Sequence, residues 1–225
     1  MKRAFTLAEV LIVVALIGVV STITINVLTN SIHRHVTLSK LKVVYSTLGQ
    51  AFTAAYAKDG TKHFKDGNPA QTSEWFTRMV GENLFIHKQC NGTTGCWNNG
   101  TKLLNGNTPD SDKGSAGIGS NNVIFVTSKG FLVNMSGYNK SNMKSKAGIN
   151  TSYDGLIIYT DINGVRKPNI VGKDIFVLTY TKERGLLPAG ADETDSTVTQ
   201  NCKNSGMYCF DKVIRDGWTI KNIKL

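Results

Sequence analysis

The stretch from Phe5 to Ile25, FTLAEVLIVVALIGVVSTITI, limits what the rest of the chain can be. It follows four residues, Met1 to Ala4, and is apolar almost throughout, yet it carries one acid, Glu9. From Val10 to Ile32 there is no Asp, Glu, Lys, Arg or His, a run of 23 residues. As a helix rising 1.5 Å per residue, this run spans about 34 Å, enough to cross a bilayer core of roughly 30 Å. Two plain readings follow, and Glu9 is awkward in both. A secretory signal peptide has a basic start (Lys2, Arg3), an apolar run and small residues such as those near Ser21, but no acid at the head of its apolar region. A plain membrane anchor would place the acid in hydrocarbon, at a cost of about 2.5–3.5 kcal/mol at a helix centre and less near an end. A charge retained in such a place usually has a partner.

A third reading supplies the partner. The run Ala4-Phe5-Thr6-Leu7-Ala8-Glu9-Val10 resembles the cleavage and methylation site of type IV prepilins and type II secretion pseudopilins. The resemblance implies a leader of residues 1–4, cut between Ala4 and Phe5 by a prepilin peptidase on the cytoplasmic side, with methylation of the new amino terminus at Phe5. It implies an assembly role for Glu9, whose carboxylate would neutralise the α-amine of a neighbouring subunit as helices bundle into a filament. The family normally has Gly before the cut; this chain has Ala4. An α-amine with a pKa of about 7.7–8.0 and a carboxylate with one of about 4.3 are both charged at neutral pH. In an apolar bundle each is costly alone and much less so when paired. The pair therefore acts as a register device, because a slipped subunit leaves two unpaired charges.

The helix does not end with the apolar run. Leu41, Val44, Tyr45, Leu48, Ala51, Phe52, Ala55 and Tyr56 recur at the i, i+3, i+4, i+7 spacing of an amphipathic helix, and Lys40, Lys42, Gln50 and Lys58 fall off that stripe. No Pro interrupts Phe5 to Gly60, and Asp59-Gly60 is a stop signal. One helix from Thr6 to Lys58 would be roughly 80 Å long. His33-Arg34-His35 reads as a basic collar where the apolar run ends, since residues two apart do not share a helix face and make a poor metal pair. Four segments result: a leader at 1–4, a transmembrane or filament-core helix at 5–29, its amphipathic continuation at 30–59, and a soluble globular domain at 60–225. A two-part helix of this kind is what pilins have.

The 225 residues suit one long helix and one domain of ordinary size. The net charge is +10, but the basic residues stand singly or in pairs such as Arg166-Lys167, with no block of five or more. Such a spread is usually a solvated surface and only sometimes a nucleic-acid face. The four cysteines fall in two close pairs, Cys90 with Cys96 and Cys202 with Cys209. Three connectivities are open; the local ones, Cys90–Cys96 and Cys202–Cys209, each close a short polar loop containing Gly and Asn. If the basic leader stays in the cytoplasm, the cysteines lie outside it, where disulfides persist. Zinc is the weaker reading, because five and six intervening residues exceed the two to four usual for zinc-binding cysteine pairs.

Beyond Gly60 the chain turns polar. A short helix is expected over Ser73 to Val80, with Ser73 as its cap, and residues 90–122 read as a loop-rich excursion pinned by the first cysteine pair. Val123–Thr127 and Phe131–Met135, joined by Ser128-Lys129-Gly130, form a hairpin signal; Leu156–Thr160 and Ile175–Tyr180 supply a third and fourth strand. Residues 136–152 read as an exposed loop. At the C-terminus a short helix should end near Asp216-Gly217, with Trp218 and Ile220 opening a final strand. Helices first and strands after them argue for an α+β fold, a long N-terminal helix packed on an antiparallel sheet, as in pilins.

The segment from Asp161 to Asp174 is the sharpest feature outside the N-terminus. Asn163-Gly164 signals a tight turn, and Asp161, Asn163, Asn169 and Asp174 offer the hard oxygen ligands that calcium prefers. Several pseudopilins have a calcium-stabilised loop in their C-terminal half, so the resemblance makes calcium a candidate cofactor. The spacing is not that of an EF-hand, whose last acid is replaced by Gly172. A structural turn is the competing reading. For catalysis the sequence offers neither a Gly-x-Ser-x-Gly elbow, nor His-Glu-x-x-His, nor a phosphate-binding Gly-Lys-Ser/Thr.

The resemblance implies a non-enzymatic filament subunit, pilus or secretion pseudopilus. Its partners would be identical or related pilin subunits, the prepilin peptidase, the assembly machinery and the membrane. It would sit in the inner membrane as a single-pass protein, globular domain outward, and later in a cell-surface or periplasmic filament. The alternatives are a DNA-binding minor pilin of an uptake system and a membrane-anchored surface binding protein that does not polymerise.

Overall fold

A computed structural model describes residues 6–58, 73–91, 97, 100–109, 123–164 and 166–220. The chain divides into two compact units, Met1–Thr37 and Leu38–Leu225. Helix α1 (Leu7–Lys58) contributes to both.

In the first unit α1 is apolar around its circumference from Val10 to Ile32, and its large side chains there are exposed. Leu11, Val14, Leu16, Val20, Ile23 and Val27 are each more than 60% open. The threonines in this run do not present their hydroxyls outward as free donors. Thr22, Thr24 and Thr29 donate back to the carbonyls of Val19, Val20 and Ile25, each at 2.8 Å. A hydroxyl satisfied within its own helix carries a much smaller penalty in an apolar medium.

In the second unit the amphipathic part of α1 lies on a six-stranded antiparallel meander. The strands are β1 (Ile86–Asn91), β2 (Val123–Thr127), β3 (Leu132–Tyr138), β4 (Gly155–Asp161), β5 (Ile175–Thr181) and β6 (Gly185–Pro188), and each pairs with the next. Leu41, Val44, Leu48, Ala51, Phe52 and Ala55 are buried against Val123, Phe125, Val133, Met135, Leu156, Ile158, Phe176 and Leu178. Burying each large side chain of this set contributes about 1.5–3 kcal/mol. Of the expected stripe only Tyr45, half-buried, and Tyr56, 48% exposed, depart; both lie on its flank.

The opposite face of the sheet is covered as well. Ile124, Leu132, Ile157, Tyr159, Ile175 and Val177 pack with Met143, Ala147, Ile149, Val198 and Tyr208 in a second core. Two-sided burial explains why β4 and β5 read as unbroken apolar runs rather than alternating ones. The second layer comes from helix α2 (Lys140–Ala147) and from helix α3 (Asp195–Asn204). Helix α4 (Cys209–Arg215) returns to the α1 side, where Phe210 and Val213 join the first core.

Four expectations are corrected. Residues 136–152 are not an exposed loop: β3 continues to Tyr138, and α2 follows, capped by Asn139, whose side chain accepts from the Asn142 amide, and ended by left-handed Gly148. The helix over Ser73–Val80 widens to a π-helix at Phe76–Val80 and continues as a 3-10 turn over Gly81–Asn83. The edge strands β1 and β6 were not expected. Among the described residues Trp218 and Ile220 open no strand. Gly217 and Trp218 are both left-handed (φ 71° and 59°), and the Trp218 amide closes α4 on the Val213 carbonyl at 2.8 Å. Trp218 lies edge-on to Tyr45 and Phe210.

Candidate processing and assembly site

Ala4 and Phe5, the expected cleavage and methylation positions, lie outside the described residues. The site is legible from Thr6 onward. The Thr6 amide and hydroxyl both donate to Glu9 Oε2, at 2.8 Å each, and the Glu9 amide donates back to the Thr6 hydroxyl at 3.3 Å. This is a capping box, which satisfies two amides that α1 would otherwise leave open at its start. Glu9 thus has a partner within its own chain, on one carboxylate oxygen. Sequence reasoning assigned Glu9 a partner in a neighbouring chain and did not use Thr6, although the Thr-x-x-Glu spacing was there to be read.

His33 and His35 are exposed on α1. Cys202 and Cys209 form the expected disulfide, joining the end of α3 to the start of α4. Both are buried. Cys90 is disulfide-bonded; its expected partner, Cys96, lies outside the described residues.

The four oxygen-bearing residues between β4 and β5 are brought together, but their bonds run inward. Asp174 accepts the amides of Asn169 and Ile170, both at 2.7 Å, and the Asn163 side-chain nitrogen at 3.0 Å. Asp161 accepts the Asn163 amide at 3.0 Å. Burial pushes the Asp174 carboxyl above the usual range, and these three donors pull it back only in part. Asn163 leaves its Oδ1 buried without a hydrogen-bond partner. Two of these bonds fall on Asp174 Oδ2 and one on Oδ1. Among the described residues no group of three or more His, Cys, Asp or Glu side chains gathers in metal-binding geometry. The arrangement is that of a hydrogen-bonded turn.

That turn is locked to its surroundings. The Lys102 amide donates to the Asn169 carbonyl and the Val171 amide to the Lys102 carbonyl, while the Leu104 amide donates to the Ser205 carbonyl inside the disulfide loop. Gly172 and Gly206 meet backbone to backbone: a Cβ on Gly172 would lie 2.7 Å from the Gly206 Cα, and one on Gly206 would collide with the Val171 carbonyl. Both have positive φ, 89° and 84°.

Neither a curated protein nor a solved structure matches the chain. Residues 1–25 match the prokaryotic N-terminal methylation motif. Helix α1 is long and apolar enough to cross a membrane; with the motif it supports a membrane-anchored, single-pass protein. The motif is that of subunits that meet other pilin-type subunits, a prepilin peptidase and assembly machinery, and it suggests a structural component rather than an enzyme. Its α+β arrangement is consistent with a pilin-like fold, and through its first 25 residues the chain is recognised as carrying the prepilin cleavage motif of the type IV pilins and pseudopilins.

Proposed function

We propose that this chain is a structural subunit of a type IV pilus-like or type II secretion pseudopilus filament. One observation carries the reading: a methylation motif joined without interruption to a helix whose large apolar side chains are exposed from Val10 to Ile32. The subunit is inserted in the inner membrane, cut after Ala4 and methylated on Phe5. Residues 5–29 then become the filament core, residues 30–59 continue the helix, and residues 60–225 coat the outside. Assembly is driven by apolar packing, with Glu9 pairing to the Phe5 amine of a neighbour through the carboxylate oxygen that Thr6 leaves open. The buried Cys202–Cys209 bond supports a globular part outside the cytoplasm, where disulfides persist.

Intact mass spectrometry of protein extracted from the membrane tests this. The expected mass lacks Met1 to Ala4, carries one added methyl group, and rises on reduction. An intact leader would replace the filament subunit by an anchored protein that does not polymerise. A start near Thr22 would show an ordinary signal peptide.

A further inference from the structure

The sheet of the second unit has two ends about 20 Å apart, since β3 spans the seven residues Leu132–Tyr138. One end carries the β2–β3 turn and the β4–β5 connection, the other the β3–β4 connection and the β5–β6 turn. Among the described residues of this unit, four large apolar side chains are left exposed: Val43, Tyr56, Phe85 and Tyr153. Two of them stand at opposite ends. Phe85, 83% exposed, lies beside the β2–β3 turn, where its carbonyl accepts the Ser128 amide at 2.8 Å. Tyr153 lies in the β3–β4 connection, two residues before β4 begins.

Phe85 borders a groove of about 280 Å³ between α1, the segment entering β1 and the β2–β3 turn. Ala51, Ala54 and Leu84 give it apolar walls, and Lys129 donates across it to the Thr47 hydroxyl at 2.9 Å. No carboxylate lines the groove, and none of the described residues forms an ion pair with Lys129. The volume falls at the bottom of the roughly 300–1,000 Å³ range of small-molecule sites and suits one large side chain.

Tyr153 stands on a turn that holds it in place. The Tyr153 amide donates to the Thr151 hydroxyl at 3.1 Å, the Ser152 amide to Glu183 Oε2 at 3.3 Å, and the Asn150 amide to Asp192 Oδ2 at 2.7 Å. The Lys182 ammonium lies over the Tyr153 ring, 5.6 Å from its centroid, and the ring is still 41% exposed. Asp154, the next residue, forms no ion pair with the described residues, while Arg184 of the same end is held by Asp192.

We propose that Tyr153 of one copy of this chain seats in the groove of a second copy, against Phe85, with Asp154 of the first meeting Lys129 of the second. A tyrosine already fixed on its turn loses little entropy on docking and is a common anchor of interfaces. The ion pair sets orientation more than affinity. The two halves of the contact lie at opposite ends of the unit, so the contact is heterologous: every pair keeps one open groove and one open tyrosine, and repetition extends the assembly. The contact names a subunit-to-subunit surface for the filament and rests on that reading for its use, although it involves no residue of the apolar run.

The test is sedimentation velocity on the full chain in detergent micelles, which cover the apolar run, at concentrations up to about 1 mM. Wild type is expected to form dimers and then longer oligomers. Lys129→Glu, Asp154→Lys and Tyr153→Ala should each weaken association about tenfold or more. Each should melt as wild type does, since none of the three side chains is buried. The Lys129→Glu, Asp154→Lys double variant should recover association, because its charges are exchanged and still opposite. An equal mixture of Lys129→Glu and Tyr153→Ala chains should stop at dimers, because just one sound groove and one sound tyrosine can meet in each pair. A wild type that stays monomeric, association that survives the single variants, or a double variant that fails to recover overturns the proposal. Loss in Lys129→Glu alone, with Asp154→Lys and Tyr153→Ala unaffected, also overturns it, by giving the groove another occupant. The mass of the processed chain decides the filament reading separately from all of these results.

Discussion

Asp174 is a carboxylate used as a three-way acceptor, and its substitution should show this. Asp174→Asn keeps the shape but turns one acceptor oxygen into a donor that faces N–H groups, so a stability loss of about 1–3 kcal/mol is expected in chemical denaturation. The pH dependence has a definite sign. Burial holds the folded pKa of Asp174 above its unfolded value, so the folded state binds the proton more tightly. The contribution of Asp174 is full below the unfolded pKa and falls as pH rises through the folded one. The stability gap between wild type and Asp174→Asn should therefore narrow from about pH 4 upward and then level. A gap independent of pH would remove the carboxylate from this account. At the other terminus, Thr6 and Glu9 separate two roles. Glu9→Leu should leave leader removal intact and abolish polymer in sedimentation, whereas Thr6→Val, which loses the hydroxyl but not the amide, should lower polymer yield, and Thr6→Ser should restore it.

At the scale of elements, the sequence was most legible where one period held for long. Helix α1 was readable to within a residue, because its apolar run and its later stripe need no tertiary information. β2 to β5 were readable because burial on both sides makes them continuous apolar runs. The edge strands were not. β1 reads Ile-His-Lys-Gln-Cys-Asn and β6 is four residues ending in Pro188, and neither needs the apolar content of a central strand. Helix α2 was hidden because just Met143 and Ala147 of its eight residues are buried, one turn apart. Its caps, Asn139 and Gly148, were the available signal. Met143 is seated against Gly155, where a Cβ would lie 2.6 Å from the Met143 Cε and 2.9 Å from the Tyr180 carbonyl oxygen. Gly155→Ala should therefore cost about 1–3 kcal/mol, read as a lowered denaturation midpoint with an unchanged slope. Met143→Ala in the same chain should recover part of that loss and not all of it, because the Tyr180 carbonyl remains.

At the scale of the whole molecule, the motif and the fold came from different parts of the sequence, and only the motif could be read as chemistry. The oxygen-rich segment from Asp161 to Asp174 offered calcium ligands by type and spacing. Which way those oxygens point is decided by the chain around them, by the amides of Asn169 and Ile170 and by the segment at Lys102. The melting temperature of the full chain in detergent should accordingly be the same with millimolar calcium and with chelator. A calcium-dependent rise would restore the ion to the turn.

The meeting of Gly172 and Gly206 has a practical consequence for anyone who redesigns this protein. The disulfide loop looks like a cassette, closed by its own covalent bond and ready to be exchanged for an epitope or a foreign loop. It is not portable. Its floor is the backbone of the β4–β5 connection, and any replacement with a side chain at position 206 would pry that connection away from it. A graft that succeeds will carry a glycine at that point, or bring both loops from the same donor.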